Sequence, residues 1–151
     1  NGTQEAFWED ETVAYLSVHR FPFYPGTGGR EETGSGRGLG LTANVPLPAG
    51  AGDAAYAGGF EAALDALSRR FRPDLVLVSA GFDAHHRDPL GGMQVSAEGF
   101  GRMTRALAAL ADPTRRGRLV SILEGGYDPD GTAEGATAHA RVLAESVEPS
   151  N

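Results

Sequence analysis

The stretch Leu75-Val-Leu-Val-Ser-Ala-Gly-Phe-Asp-Ala-His-His-Arg-Asp-Pro-Leu-Gly-Gly92 constrains this chain more than any other. Leu75 to Ala80 are β-favouring and almost wholly apolar, the pattern of a strand buried on both faces and therefore central in a parallel sheet. Gly81 lets the backbone leave the sheet in conformations closed to other residues, and Asp83, His85, His86 and Asp88 follow at once. A strand that delivers carboxylates and imidazoles into one loop marks where chemistry is expected.

The flanking segments alternate in the same way. Thr12–Ser17 reads as a first buried strand, with Ser17 and His19 at its carboxyl end, and Leu41–Leu47 as a second, closed by Pro46 and Pro48. Between them, Phe21 to Gly40 has no period of 2 or 3.6. Its aromatic start, Phe21, Phe23 and Tyr24 interleaved with Pro22 and Pro25, favours an ordered wall over a linker. Asp53 is placed to cap a helix whose Phe60, Leu64, Leu67 and Phe71 form one stripe before Pro73. Ser96 is placed to cap another, with Phe100, Met103, Leu107 and Leu110 on its buried face and Asp112-Pro113 at its end. Leu119–Leu123 reads as a further strand, reached through the basic Arg115–Arg118 turn. A last helix from about Thr132 to Val147 carries Ala136, Ala140, Leu143 and Val147 on one side. The order β, long loop, β, α, β, α, β, α predicts an α/β fold, a mainly parallel sheet with helices on both faces, within one domain over residues 1–151.

Composition removes several chemistries. There is no Cys, so thiolate ligands, disulfides and a cysteine nucleophile are excluded, and all 13 basic residues are Arg, which excludes a Schiff-base or P-loop lysine. The Gly34–Gly40 run does not spell a phosphate-binding fingerprint and opens no helix directly. A net charge of −7 argues against nucleic acid and anionic membranes as partners and suits a cationic ligand better. With no long apolar run and an N-terminus neither basic nor apolar, no membrane span or leader is expected, and the cytoplasm is the expected location.

Ligands of open parallel sheets bind beyond the carboxyl ends of the strands. The loops there are Ser17–Tyr24, Asp83–Gly92 and Glu124–Asp130, so their polar groups are expected to share one edge. Asp83 has two readings, a hard oxygen ligand for a metal or the cap of a turn. His85 and His86 are adjacent and point differently, so solvated loop histidines are expected. Asp88, before Pro89, reads as a turn former, and His19 and His139 have no partner nameable from sequence. Tyr127, after two glycines at a strand end, either packs under its loop or donates its hydroxyl to an oxygen that gains charge during a reaction.

Three spaced motifs then resemble the histone deacetylase family, including its bacterial members and the acetylpolyamine amidohydrolases. They are Val78-Ser-Ala-Gly-Phe-Asp-Ala-His85 with Asp88-Pro-Leu-Gly91, Leu123-Glu-Gly-Gly-Tyr-Asp128, and Leu16-Ser-Val-His-Arg20 with Phe23-Tyr-Pro-Gly-Thr-Gly28. The resemblance implies a fold of the arginase-deacetylase type and hydrolysis of acetyl-lysine or acetylpolyamine amides with a zinc-bound water. It implies that Asp83 is a zinc ligand, that Tyr127 polarises the acetyl carbonyl, and that Tyr24 and Leu90 line the channel for the acylated side chain. It further implies a potassium site at Ser17 and a second built on backbone oxygens of Phe7, Asp10 and Val13.

In that family an Asp-x-His-His-Gly type segment with the other two zinc ligands stands just before the position of Asn1, and a catalytic His pair further upstream. The expectation is therefore the C-terminal half of such a domain, not competent by itself and with a strand edge left open. The alternative is a degenerate, non-catalytic module that keeps the acyl-lysine groove for binding. The oligomeric state is not legible.

Overall fold

A computed structural model describes residues 1–111 and 118–147. It contains α1 (Gly2–Ala6), β1 (Tyr15–Arg20), a 3-10 turn at Gly36–Gly38, β2 (Thr42–Leu47), α2 (Asp53–Ser68), β3 (Val76–Ala80), α3 (Ala97–Leu110), β4 (Leu119–Leu123) and α4 (Pro129–Val147). The α/β reading with parallel strands is correct. The expected end of α3 at Asp112-Pro113 and residues 115–117 of the basic turn lie outside the described residues. Among the described residues no helix is long and apolar enough to cross a membrane.

The chain divides into two compact units, Asn1–Ala49 with Gly58–Arg72, and Gly50–Ala57 with the chain from Pro73 onward. In the first, β1 and β2 pair in parallel with Tyr15 opposite Thr42 and Arg20 opposite Leu47. The first strand begins three residues later than the sequence pattern suggests. Asp10 Oδ1 accepts from both the backbone N–H (2.7 Å) and the hydroxyl (2.6 Å) of Thr12, which holds Thr12 in a turn. The strand then runs on through His19, opposite Pro46, a proline that an edge strand tolerates within its length. Ser17 thus sits mid-strand.

The long loop of this unit is ordered by its polar groups. Glu32 Oε1 accepts from the N–H groups of Gly28 (2.9 Å) and Gly29 (2.8 Å), and Glu32 Oε2 from Gln4 Nε2 (2.5 Å). The Gly29 N–H, with Gln4 and Gly28, holds the Glu32 carboxyl below its ordinary range. Gln4 in turn accepts from Asn44 on β2 at 2.7 Å, which ties α1, the loop and the strand together. The glycine-rich run approaches the backbone of Trp8, whose carbonyl accepts from Ser35 N at 3.0 Å.

In the second unit β3 and β4 pair in parallel from Val76 opposite Leu119 to Ala80 opposite Leu123, with α3 in the crossover. Ser96 caps α3 as predicted, its hydroxyl accepting from Gly99 N at 3.2 Å. Asp53 is the first residue of α2 and serves a different end. Its carboxylate accepts from Ser96 N (2.8 Å) and Ser96 Oγ (2.6 Å). The ring of Phe82 packs edge-on against Phe100 (5.2 Å) and His139 (6.1 Å). A methyl group on Gly135 would stand 2.7 Å from Phe82, which turns the packed face of α4 toward Gly131, Gly135 and Val142 and leaves Ala140, expected inside, exposed. The side chain of Val147 lies outside the described residues.

β3 is not buried on both faces. Val76 and Val78 are half-buried and Ala80 is buried, whereas Leu77 is 66% exposed, and Val120 and Ile122 are 47% and 55% exposed on the paired strand. Within this unit the helices cover one face of the pair, through Ser121 and His139, and the other presents apolar side chains.

His139 links three elements. Thr104 Oγ1 donates to Phe100 O (2.7 Å) and so accepts from His139 Nδ1 (2.8 Å), which leaves Nε2 to accept from Ser121 Oγ (2.8 Å). Burial holds this imidazole below its ordinary value of 6.5. A depressed histidine favours the folded state fully above its unfolded pKa, and that contribution is lost as pH falls below about 6.5 toward the folded value. Denaturant unfolding between pH 7 and pH 5 should therefore show stability falling with acid. His139→Gln should flatten part of that slope, to which His19 and His85, depressed as well, contribute with the same sign. An unchanged slope in His139→Gln would contradict this tautomer and its linkage.

Candidate active site

The second unit brings together the loops after β3 and β4. Phe82 N donates to Gly125 O (2.7 Å) and Glu124 N to Ala80 O (3.1 Å), so the two chains leave the sheet side by side. Asp83 and Tyr127, both singled out in the sequence, lie on these adjoining loops. Asp83 is half-buried, and a methyl group on Gly125 would stand 2.7 Å from its Oδ2. That close approach explains why a glycine follows Glu124.

Burial raises the Asp83 carboxyl above its ordinary value, and the neighbouring charges of Asp88 and Glu124 add to the shift. A carboxylate whose negative charge is disfavoured where it stands is a natural partner for a cation. Catalytic zinc sites take three protein ligands, and among the described residues no group of three or more His, Cys, Asp or Glu is placed to hold a metal ion. Asp83 stands without two further ligands placed with it among the described residues, which do not form a complete metal site.

Tyr127 is 58% exposed, so its ring does not pack under the loop. Its backbone is fixed by Asp88, whose Oδ2 accepts from Tyr127 N at 2.7 Å while Oδ1 accepts from Leu90 N and Gly91 N at 2.9 Å each. Asp88 is the turn former expected, and it also crosses to a loop 39 residues away. Burial would raise its carboxyl, but the N–H donors of Tyr127, Gly91 and Leu90 outweigh that and hold it below the ordinary range. Leu90 is 58% exposed beside this turn. Tyr56, which the sequence reading did not single out, is buried, and burial together with the Asp83 charge pushes its phenol far above the ordinary tyrosine range.

His85 corrects an expectation. It is 1% exposed rather than solvated, because its ring stacks on Phe100 (6.2 Å) under the loop, with Nδ1 accepting from Arg87 N at 3.3 Å. His86, by contrast, is exposed as expected. In the first unit Tyr24 is 91% exposed, and Ser17 Oγ donates to His19 Nδ1 (2.9 Å) because His19 Nε2 donates to Gly28 O (3.0 Å). His19 therefore has a partner after all, the long loop.

Gly91 is the tightest point. A methyl group there would stand 1.7 Å from the carbonyl oxygen of Asp83, a backbone atom that cannot swing aside. Gly91→Ala should cost about 1–3 kcal/mol or more and shift the Asp83 loop. Gly58→Ala, on α2 with nothing within 4 Å, should be neutral or stabilising. Comparative denaturant melts of the two variants check the pair, and equal stabilities would refute the contact.

Parallel strand pairs flanked by helices make this an α/β protein, and in the second unit the carboxyl-end loops present a half-buried carboxylate and an exposed phenol. The chain belongs to the histone deacetylase family, the histone deacetylase domain matching residues 1–143. A probable deacetylase of Archaeoglobus fulgidus is 42% identical over 131 residues, which is 87% of this chain and 36% of the relative. Among solved structures, the HDA15 HD domain superposes with a TM-score of 0.88 at 41% identity, covering 99% of this chain and 42% of that one. An acetylpolyamine aminohydrolase from Burkholderia pseudomallei does so at 0.83 and 35%, covering 95% and 41%. The chain spans about two-fifths or less of the length of each of these proteins.

Proposed function

We propose that this chain is the part of a zinc-dependent deacetylase that supplies one metal-ligating carboxylate and the tyrosine of its active site, the substrate being an acetylated lysine or polyamine. The observation that carries the reading is the adjacency of two loops, one bearing the Asp83 carboxyl that burial holds above its ordinary pKa and the other bearing the exposed Tyr127 phenol. Membership of the family and similarity to an acetylpolyamine aminohydrolase support the substrate class.

The reaction adds water across the amide C–N bond and yields acetate and a free amine. Zinc, when bound, supplies Lewis acidity toward the carbonyl and the water. In this reading Asp83 is one of its ligands and the other two come from chain outside residues 1–151. Tyr127 donates its hydroxyl to the carbonyl oxygen as that oxygen gains negative charge, a contribution made in the transition state and not in the ground state. Leu90 and Tyr24 flank the acyl-bearing stem. Ser17 is the side chain for a structural potassium ion, an accessory to the fold and not to the chemistry.

The test is hydrolysis of acetyl-lysine and acetylpolyamine reporters by the full-length protein, with and without a chelator. Chelator-sensitive turnover is expected, and the isolated 151-residue chain should show none. Absent turnover and absent zinc in a folded full-length protein that still binds acetylated peptide would replace this reading with the binding module.

A further inference from the structure

The geometry points to Arg87 and Asp88 as a two-residue clamp that positions Tyr127, an inference resting on the deacetylase reading above. The loops after β3 and β4 are joined by side-chain bonds at two consecutive residues. Asp88, 8% exposed, spends both carboxylate oxygens on backbone N–H groups, Oδ1 on Leu90 and Gly91 in its own loop and Oδ2 on Tyr127 in the other. Arg87 reaches the residue after Tyr127, its Nε donating to Asp128 Oδ1 (3.2 Å), and continues to Asp130 (2.7 Å) and Glu134 (3.7 Å) in the first turns of α4. Asp128 Oδ1 also accepts from Gly131 N at 2.6 Å, so the helix end and the clamp share one carboxylate.

The tyrosine is therefore tied at its own amide and at its neighbour's side chain, while its ring stays exposed. The same Asp88 carboxylate sets the backbone of Leu90. One group thus fixes the two residues of this unit that the deacetylase reading places around the acyl group. Charge-assisted bonds from a buried carboxylate are among the stiffer ways to hold a loop. Tyr127 follows two glycines, so without the clamp its loop has little else in its own sequence to fix it. Arg87 and Asp88 touch no reacting atom in this arrangement, and both are positioning residues.

Asp88→Asn is the informative change. An amide has one acceptor oxygen, so whichever way it turns, its NH₂ faces either Tyr127 N–H or the Leu90 and Gly91 N–H pair. In the full-length protein Asp88→Asn should lower kcat about tenfold or more, and Arg87→Gln a few-fold, each with KM within about twofold. Each variant is also made in a Tyr127→Phe background and read at high enzyme concentration. If the clamp acts through the tyrosine hydroxyl, Arg87→Gln reduces the residual activity no further, and Asp88→Asn, which also sets the Leu90 backbone, reduces it by a smaller factor than in the wild-type background. Equal fractional losses in both backgrounds, or unchanged kcat, would overturn the inference. Should Asp88→Asn fail to fold, the exposed Arg87→Gln gives the same two outcomes by itself. Full activity in Tyr127→Phe alone would instead remove the reading on which the clamp rests.

Discussion

Asp83→Ala in the full-length protein is expected to lower deacetylase activity by about three orders of magnitude or more while leaving stability intact. The two halves of that expectation have separate physical causes. Loss of activity follows from removing a ligand, since a metal left with fewer donors is held loosely and in the wrong place. Preserved stability follows from the raised pKa of the carboxyl, whose largest cause is burial. A carboxyl with its folded pKa above its unfolded value of 3.8 is disfavoured as an anion, so as pH rises through the folded value it costs stability. Removing it relieves that cost at neutral pH. In metal-free protein, Asp83→Ala should therefore unfold at the same denaturant concentration as wild type or slightly higher. A large loss of stability would mean that the carboxylate is there to hold the loop.

Tyr127→Phe is expected to lower kcat about 10²–10³-fold, the usual cost of removing one donor to a developing oxyanion, with little change in KM. The substitution deletes one oxygen from a ring that is 58% exposed, so no cavity forms and no buried partner is orphaned. The amide of residue 127 keeps its bond to Asp88 whichever side chain follows. A fall in kcat/KM carried by KM alone would assign the phenol to substrate binding, and an unchanged kcat would remove it from the chemistry. The two substitutions differ in their metal readout, because Tyr127→Phe leaves every proposed ligand in place.

Much of this was legible because it is local. Leu75–Ala80 announces a strand by composition, Ser96 announces a cap by position, and Asp88 before Pro89 announces a turn. What escaped depends on contacts distant in sequence. The Asp88 bond to Tyr127 spans 39 residues, and the partners of His139 come from two other elements. His85 reads as a solvated loop residue because it stands next to His86 beyond a strand end, yet the ring it stacks on belongs to α3. On α4 the alanine stripe points to Ala140, which is exposed, whereas the Phe82 and Phe100 rings leave room only for Gly135. β3 looked central because apolar alternation was absent, while in this unit one of its faces is open. The roles of Asp83 and Tyr127 came from the family resemblance, since one carboxylate and one phenol do not define a reaction by spacing.

The most direct test is the zinc content of purified full-length protein before and after Asp83→Ala, measured alongside turnover of an acetyl-lysine reporter. About one zinc per wild-type chain is expected and, in the variant, parallel loss of zinc and turnover without loss of folded structure. Wild-type zinc and wild-type turnover in Asp83→Ala would contradict it.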